Sequence, residues 1–482
     1  MENNEVSGRQ GASRRAFLSA GAVTAVAAPF ISSTAIASAT TTGKAIIAKS
    51  RPADHDDLRR MIQQIDPKRI EAIITKLASF GTRHTASSQT DPNRGIGAAI
   101  AYVTGLMNDI ATASGGRMTV QQQTFTQPVA SNIPVPTSIT NVIGTLPGTA
   151  TPERFYVITG HLDSRCTDVL NFTDDAPGAD DDASGVALVL ELARIMSTRQ
   201  FPGTLVFGIV DGEEQGLYGS TFMAQQMASA GNDVQGMVSN DIVGQSVAHD
   251  GTKPDPHTIR MFSEGIPTNA TSSSISLMQS VGGENDSQSR QLTRFAMDVA
   301  TFDLTDMNIR PIWRRDRYLR GSDHLSFQGQ GYPACRMTEP RENFNHEHQN
   351  VTVVNGVQLG DLLEYVDFKY VGRVAAVNMA LFWSLASGPA TPKGVLIHTA
   401  PPVGFPGTNL TSLEWTANPD PDLAFYEVVM RETTARDWTT AINVGNVTSV
   451  TLDISKDNVQ FGLRAVDSAG HRSPAAFPTV VN

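Results

Sequence analysis

Histidine and acidic residues lie at the ends of several apolar runs of this 482-residue chain. They are His161 and Asp163 after the run 155–159, Glu213 and Glu214 after 204–210, and Asp241 within 236–243. In an open α/β sheet the carboxyl ends of parallel strands meet at one edge, so we expect these side chains to lie close together. Imidazole and carboxylate groups bind zinc, and a divalent cation relieves the repulsion among so many carboxylates. The pattern therefore predicts a metal site at this edge.

A further acidic segment, 177–185, contains three consecutive aspartates directly before a predicted helix: Asp180, Asp181 and Asp182. Taken alone, such a run is typical of a solvated turn or a helix N-cap, and Asp182 and Ser184 are suited to cap the helix. A lone His-x-Asp pair is likewise more often structural, since buried polar groups need partners. The combination of these segments with several buried strands favours the metal site.

The order of the predicted elements indicates the fold class. Predicted strands lie at 118–125, 138–144, 154–159, 204–210 and 236–243, and predicted helices at 186–196, 217–227 and 359–385. From residue 185 onward helix and strand patterns alternate. Alternation of this kind predicts an α/β fold in which helices sandwich a mixed, mostly parallel sheet.

Composition divides the chain into four segments. Residues 1–39 combine Arg14 and Arg15 with an alanine-rich apolar run and small residues suited to cleavage, which predicts a twin-arginine export signal. A transmembrane anchor is the alternative, but the run is shorter than the ~20 residues that span a bilayer. Residues 40–386 hold the α/β domain, 387–393 form a linker, and 394–482 contain short strand patterns that predict a β-sandwich. These signals predict a bacterial protein in the periplasm or the medium, with no membrane span after cleavage.

Charge and cysteine content exclude some classes of protein. The net charge of −11 argues against a nucleic-acid partner, because phosphate binding requires a basic surface. Cys166 and Cys335 are too few for a disulfide scaffold. They form one disulfide if they meet in space, and otherwise they are two separate buried thiols.

The combined motifs resemble the co-catalytic dizinc aminopeptidases, which are the bacterial leucyl aminopeptidases and their relatives, including glutamate carboxypeptidases and glutaminyl cyclases. The resemblance covers about residues 70–385 and rests on the segments 160–164, 177–185, 211–218 and 322–324 and on Asp241. It implies a zinc exopeptidase-like fold and two Zn²⁺ ions per chain. The implied ligands are His161 and Asp241 for one ion, Glu214 and a late histidine for the other, and Asp181 bridging both. Glu213 would be the general base, and Asp163 would orient the His161 ring. Residues 394–482 resemble a fibronectin type III domain.

The late histidine has two candidates, His346 and His348. Members of the family often carry an aspartate four positions after this histidine. His346 matches that spacing with Asn350 in place of the aspartate, so His346 is the predicted ligand and His348 the alternative.

The segment 322–324 resembles the substrate-side loop of the family, which makes Asp323 and His324 candidate substrate-binding residues. Tyr318 is a further candidate that would donate a hydrogen bond to the reacting carbonyl group. The alternative for Tyr318 is a packed loop tyrosine.

The predicted function is an exported zinc aminopeptidase that acts on peptides with a free N-terminus. One alternative is a carboxypeptidase for acidic C-terminal residues, or a glutaminyl cyclase, on the same fold. Another is a catalytically inactive envelope protein whose β-sandwich binds a partner. The presence of Glu213 together with a full set of ligands argues against an inactive protein. Side-chain preference and oligomeric state stay open.

Overall fold

The computed structural model describes residues 55–250, 252–400 and 409–481. The predicted export signal at 1–39 lies outside these residues. The helices are α1 (His55–Ile62), α2 (Pro67–Ala78), α3 (Ile96–Ala113), α4 (Ala183–Met196), α5 (Tyr218–Ser229), α6 (Ser272–Val281), α7 (Gln288–Val299), α8 (Phe302–Thr305), α9 (His324–Gly329) and α10 (Phe368–Ser387).

The described strands fall into an N-terminal and a C-terminal group. The first group is β1 (Thr119–Gln127), β2 (Thr137–Leu146), β3 (Thr151–His161), β4 (Gly203–Val210), β5 (Asp233–Asn240), β6 (Thr258–Phe262), β7 (Asn308–Ile312), β8 (Ala334–Thr338), β9 (Thr352–Val354) and β10 (Val357–Leu359). The second is β11 (Leu396–His398), β12 (Thr411–Glu414), β13 (Leu423–Glu432), β14 (Thr440–Gly445), β15 (Ser449–Leu452), β16 (Val459–Asp467) and β17 (Thr479–Val481).

One mixed sheet organises the larger part of the molecule, with the strand order β1-β2-β4-β3-β5-β8-β6-β7. Its central strands β4, β3, β5 and β8 are parallel neighbours, whereas β1, β2 and β4 pair antiparallel. Alternate residues of β3 and β4 face opposite cores: Ile158 and Phe207 pack with α4 and α10, and Val157 and Val206 pack with α5 and α9. Helices thus cover both faces of the sheet, and the predicted α/β fold is confirmed.

The parallel strands explain where the acidic residues meet. β3, β4, β5 and β8 run in one direction, so the residues that follow them lie at the same edge of the sheet. His161 is the last residue of β3, and Asp241 directly follows β5. The residues that the strand patterns placed at one edge of the sheet do lie at one edge.

The last predicted helix, 359–385, begins later than expected. Asp367 caps α10 because its side chain accepts hydrogen bonds from the backbone N–H groups of Lys369 and Tyr370. The residues before it form β10, which pairs antiparallel with β9. The apolar periodicity of this region therefore overstated the length of the helix.

One described helix, α3, has the length and apolar composition of a membrane-crossing segment. Core helices pass the same test, and the buried residues of α3, such as Val103 and Met107, belong to the main core.

The C-terminal strands form two small sheets, with the orders β15-β12-β11-β17 and β14-β13-β16. Their core includes Leu413, Trp415, Tyr426 and Leu463, and the rings of Trp415 and Tyr426 meet edge to face at 5.3 Å. The C-terminal part is therefore all-β, as the short strand patterns predicted. Its assignment as a fibronectin type III domain and the segment boundaries stay predictions.

Candidate metal centre

His161 is buried at the end of β3, and its two ring nitrogens face different groups. Nδ1 lies 3.1 Å from the backbone oxygen of Asp163 and 3.6 Å from its carboxylate. A hydrogen bond from Nδ1–H fixes the ring and leaves Nε2 as the ligand atom. The structure thus pairs Asp163 with His161 as expected, with the main-chain carbonyl nearer than the carboxylate.

The carboxylate of Asp163 also binds the backbone of the loop after β4, which the sequence did not predict. It accepts hydrogen bonds from three consecutive backbone N–H groups, those of Gly212 (2.9 Å), Glu213 (3.1 Å) and Glu214 (3.0 Å). Burial opposes ionisation, but His161 and these amides hold the pKa of Asp163 below its usual value. Asp163 therefore fixes the loop that carries both glutamates.

The triple-aspartate segment is held from two sides. Asp182 caps α4 through Gly185 N–H and accepts a hydrogen bond from the backbone N–H of His161 at 2.9 Å. Asp361 accepts the backbone N–H groups of Asp180 at 2.8 Å and of Asp181 at 2.7 Å. These contacts confirm Asp182 as the helix cap. They also fix the backbone from which the Asp181 carboxylate points into the cluster.

Arg83 is a fully buried residue that the motif analysis passed over. Its guanidinium donates to the backbone oxygens of Leu162 (2.7 Å), Gly178 (2.9 Å) and Pro177. It therefore ties the loop after β3 to the aspartate segment. Desolvation lowers the pKa of Arg83 to about 10, although the neighbouring Asp361 and Asp163 carboxylates oppose this. In the sequence Arg83 is a single arginine after a predicted helix, and nothing in the pattern indicates that it is buried.

The cluster itself is formed by two histidines on opposite sides of Asp181. His161 Nε2 lies 3.0 Å from Asp181 Oδ1 and 3.8 Å from Asp241 Oδ1. His348 Nε2 lies 2.8 Å from Asp181 Oδ2 and 3.0 Å from Glu214 Oε1. Each carboxylate oxygen of Asp181 therefore faces its own histidine, and the cluster has two halves.

The structure places His348 in the cluster, and not His346, which was the predicted ligand. His346 stacks on Tyr365, with ring centroids 3.5 Å apart and planes 8° from parallel. His348 instead reaches Asp181 and Glu214, from a backbone with a φ of 56°. Asn350 exchanges hydrogen bonds with Thr167 and is not a partner of either ring. The spacing of His346 to Asn350 therefore did not identify the histidine of the cluster.

Asp241 is also anchored from behind. Its Oδ1 accepts a hydrogen bond from Arg336 Nη2 at 3.0 Å, and Arg336 Nη1 lies 3.4 Å from Asp316. Arg336 is fully buried in β8. Both Arg336 and Asp316 escaped the sequence analysis, because their partners are distant in the chain.

The substrate-side candidates lie in different surroundings. Tyr318 is 79% exposed, with the Arg314 guanidinium 4.3 Å from its ring centroid, so it does not join the cluster. His324 is buried, and its Nε2 lies 2.9 Å from Arg315 O within its own loop. Asp323 is buried too; burial raises its pKa to about 7, and the charge of Asp241 adds to the shift while His161 opposes it. The charge of Asp241 thus acts on both Asp323 and His324.

Glu213 is an acidic residue near the cluster that forms no ion pair with either histidine. Desolvation raises its pKa well above the usual value; His161 opposes this rise, and the charges of Asp241 and Glu214 add to it. A carboxyl group with a raised pKa is a better proton acceptor than an ordinary one when it is ionised. Glu213 thus has the properties of a base beside a metal centre.

The donor atoms fit zinc. Among the residues that the structure describes, Asp181 Oδ1 and Glu214 Oε1 have no hydrogen-bond partner, although each lies 3.0 Å from a histidine nitrogen. Donor atoms this close together are suited to bind one cation. Two imidazole nitrogens and carboxylate oxygens are donors that zinc prefers. Glu347 also offers a carboxylate oxygen close to the ligand atoms of Asp181 and His348.

The two cysteines do not form the disulfide considered above. Both are buried and free. Cys335 lies in β8 with its Sγ 3.2 Å from Ser289 O, whereas Cys166 lies in the loop after Asp163. They are two separate thiols.

Comparison with solved structures places the fold. The chain superposes on the LapA aminopeptidase of Legionella pneumophila with a TM-score of 0.50 and 17% identity, covering 70% of this chain and 76% of that one. At this identity the likeness concerns the fold alone. The sheet and its helices thus define an aminopeptidase-like α/β fold.

Comparison of sequences identifies the family. Residues 141–356 match the model of peptidase family M28. A probable zinc metalloprotease of Leptosphaeria maculans is 48% identical over 428 residues, covering 89% of this chain and 98% of the relative. A second, from Pyricularia oryzae, is 49% identical over 428 residues, covering 88% of this chain and 84% of the relative. The chain therefore belongs to peptidase family M28 and is a zinc metalloprotease.

These relatives correct the predicted location. They come from fungi, so the assignment to a bacterial cell envelope reached by twin-arginine export is wrong. The paired arginines and the apolar run resembled an export signal, but a pattern this short recurs in other contexts.

Proposed function

We propose that the chain is a dinuclear zinc aminopeptidase, which removes N-terminal residues from peptides. The observation that supports this proposal most directly is the position of Asp181 between two histidines. Its Oδ1 faces His161 at 3.0 Å, and its Oδ2 faces His348 at 2.8 Å. A carboxylate with one imidazole at each oxygen is suited to bridge two cations.

The residues divide into two ligand sets that share Asp181. His161 and Asp241 would hold one ion, and Glu214 and His348 would hold the other. Zinc bound there lowers the pKa of a water molecule and polarises the scissile carbonyl group. The protein contributes the fixed geometry: Asp163 holds the loop of Glu214, Asp361 holds the backbone of Asp181, and Arg336 holds Asp241.

Glu213 would act as the general base. It would take a proton from the attacking water and then donate that proton to the leaving amine, so the carboxyl group ends each cycle ionised. The backbone N–H groups of Glu213 and Glu214 donate to the same aspartate, so one loop holds both residues, and the Glu214 side chain is the one that reaches His348. Glu213 can then transfer the proton while Glu214 binds the metal.

The charges around the site favour an aminopeptidase over a carboxypeptidase. A carboxypeptidase needs a cationic side chain for the terminal carboxylate, whereas an aminopeptidase needs acidic groups for the terminal ammonium. The arginines described near the cluster are engaged: Arg83 with backbone oxygens, Arg336 with Asp241, and Arg320 with Glu347 at 2.5 Å. Asp323 is buried and makes no ion pair with the described residues, so it is suited to the ammonium group.

Glu213→Gln tests the proposal. We expect the variant to keep about two zinc ions and to lose about 10³-fold in kcat, because the proton acceptor is removed and the ligands stay. Zinc content by mass spectrometry and hydrolysis of aminoacyl-p-nitroanilides are the measurements. Glu71→Gln, an exposed glutamate on α2, is the matched control and should leave both values unchanged.

Three further outcomes separate the alternatives. Cleavage that is lost when the substrate's N-terminus is acetylated supports an aminopeptidase. Cleavage that instead requires a free acidic C-terminus would establish a carboxypeptidase. Ring closure of an N-terminal glutamine without peptide cleavage, with one zinc ion, would establish a cyclase.

A further inference from the structure

A buried ionic cluster joins the C-terminal strands to the larger sheet. Asp286, which is fully buried, receives Arg431 Nη2 at 2.5 Å and Arg294 Nη1 at 3.0 Å. Arg431 belongs to β13 and Arg294 to α7, so one carboxylate holds both parts of the molecule. Arg294 also donates through Nε to the backbone oxygen of Arg436 at 2.8 Å. We call Asp286, Arg294 and Arg431 the interface cluster.

Two tryptophans extend this cluster toward the candidate site. Trp438, in the C-terminal part, donates to Gln291 of α7 at 3.0 Å, and the guanidinium of Arg294 lies 5.9 Å from its ring centroid. The same guanidinium lies 5.1 Å from the ring centroid of Trp313. Arg290 donates to the backbone oxygen of Trp313 at 2.8 Å. Arg294 therefore lies between Trp438 of the C-terminal part and Trp313, the first residue of the loop after β7.

That loop, 313–323, ends at the candidate site. Asp316 accepts hydrogen bonds from Arg317 Nε at 2.9 Å and from Arg336 Nη1 at 3.4 Å, and Arg336 holds Asp241. At its far end the loop carries the buried Asp323, whose pKa is raised to about 7 mainly by desolvation. The first residue of the loop is thus held by α7, and Asp316 of the loop shares Arg336 with Asp241, a proposed zinc ligand.

We propose that the C-terminal β region is part of the catalytic unit: through Arg431 and Trp438 it positions the loop 313–323, and with it the substrate end of the site. Arg431 is a positioning residue in this proposal. The proposal rests on the proposed aminopeptidase function for its kinetic consequence. Its structural consequence, an ordered loop, can be measured without activity.

The same interface offers a matched control. Arg154 of β3 pairs with Asp420 at 2.8 Å, and it also donates to the backbone oxygen of Gly388 at 2.8 Å. Both side chains are buried, as in the interface cluster. The contacts of Arg154 lead to the connection after α10 and not to the loop 313–323. Removing Arg154 therefore weakens the attachment of the C-terminal part without touching the proposed route.

The experiment compares Arg431→Met with Arg154→Met in the full chain, at a temperature where circular dichroism shows both folded. We expect Arg431→Met to raise KM for aminoacyl-p-nitroanilides and lower kcat/KM about tenfold, since small displacements of positioning groups reduce rates strongly. Arg154→Met should stay within about twofold of the wild type in kcat/KM. Arg431→Lys should recover part of the loss. Trp438→Leu is the second variant if Arg431→Met does not fold.

Hydrogen exchange provides the readout that is independent of activity. Amides of 313–323 should exchange faster in Arg431→Met and at the wild-type rate in Arg154→Met. Equal kinetic and exchange effects in both variants would show that attachment alone matters and overturn the proposal. Unchanged exchange in Arg431→Met would overturn it as well. If the wild type hydrolyses no aminoacyl substrate, the proposed function fails, whereas the exchange experiment still decides the positioning role.

Discussion

Two buried groups of charges in this chain differ in how they are neutralised. In the interface cluster, Asp286 receives two guanidinium groups and the amide of Gln291, so both carboxylate oxygens have protein donors. In the candidate metal centre, Asp181 Oδ1 and Glu214 Oε1 lack hydrogen-bond partners in the described part of the chain. Because buried charge without a partner is costly, the carboxylate of the first cluster is neutralised by protein donors, whereas the carboxylates of the second are suited to a bound cation. The contrast distinguishes a structural ion cluster from a binding site.

Zinc removal should produce the largest difference between the two clusters. We expect a chelator to abolish hydrolysis. It should lower the free energy of unfolding by about 4 kcal/mol relative to protein at a free zinc concentration about 1,000 times the dissociation constant. Differential scanning calorimetry with and without 1,10-phenanthroline measures the effect, with zinc re-addition as the control. An unfolding temperature that does not respond to zinc would contradict the assignment of the site.

Matched aspartate-to-asparagine variants sharpen the comparison. Asp286→Asn should destabilise the protein by about 3 kcal/mol with or without zinc, since it leaves buried guanidinium groups without their counter-charge. Asp181→Asn should abolish zinc binding. In the zinc-free protein it should cost less stability than Asp286→Asn, because repulsion from the neighbouring aspartates offsets the pairing of Asp181 with two histidines. Denaturant unfolding of both variants with and without zinc gives these values. The opposite pattern would mean that Asp181 is the structural residue.

The histidine pair is the third comparison. His348→Ala should lower zinc affinity in one half of the site and reduce kcat/KM about 100-fold, an effect of about 2.7 kcal/mol. His346→Ala should leave zinc content at the wild-type level, because its ring stacks on Tyr365 outside the cluster. Zinc titration monitored by calorimetry checks both. A loss of zinc in His346→Ala would restore the assignment that the spacing favoured.

The sequence predicted the sheet edge well, because strand ends of a parallel sheet are a local signal with a simple spatial consequence. His161, Asp181, Glu214 and Asp241 were located on that basis and by resemblance, and the structure brings all four together. His348 was the alternative and not the first choice, for a physical reason. Its orientation depends on a left-handed backbone at its own position and on the stacking of His346, neither of which leaves a pattern in the sequence.

The supporting residues were not predictable at all. Arg83, Arg336 and Asp361 act through partners about 80 to 180 positions away in the chain. A single buried arginine looks the same in a sequence as an exposed one. The C-terminal strands were predicted as strands, but the pairing of Arg431 with Asp286, 145 positions apart, appears only when the chain is folded.

Asp163 shows how a residue outside the proposed ligand set can be constrained by the backbone around it. Its Oδ1 accepts two backbone N–H groups and its Oδ2 a third. Asparagine has one acceptor oxygen and an NH₂ group, so one backbone N–H would face another donor. Glutamate would carry the carboxylate one methylene too far in a fully buried position. Sequence change at position 163 is therefore limited by the geometry of three backbone amides, although the side chain itself takes no part in the proposed reaction.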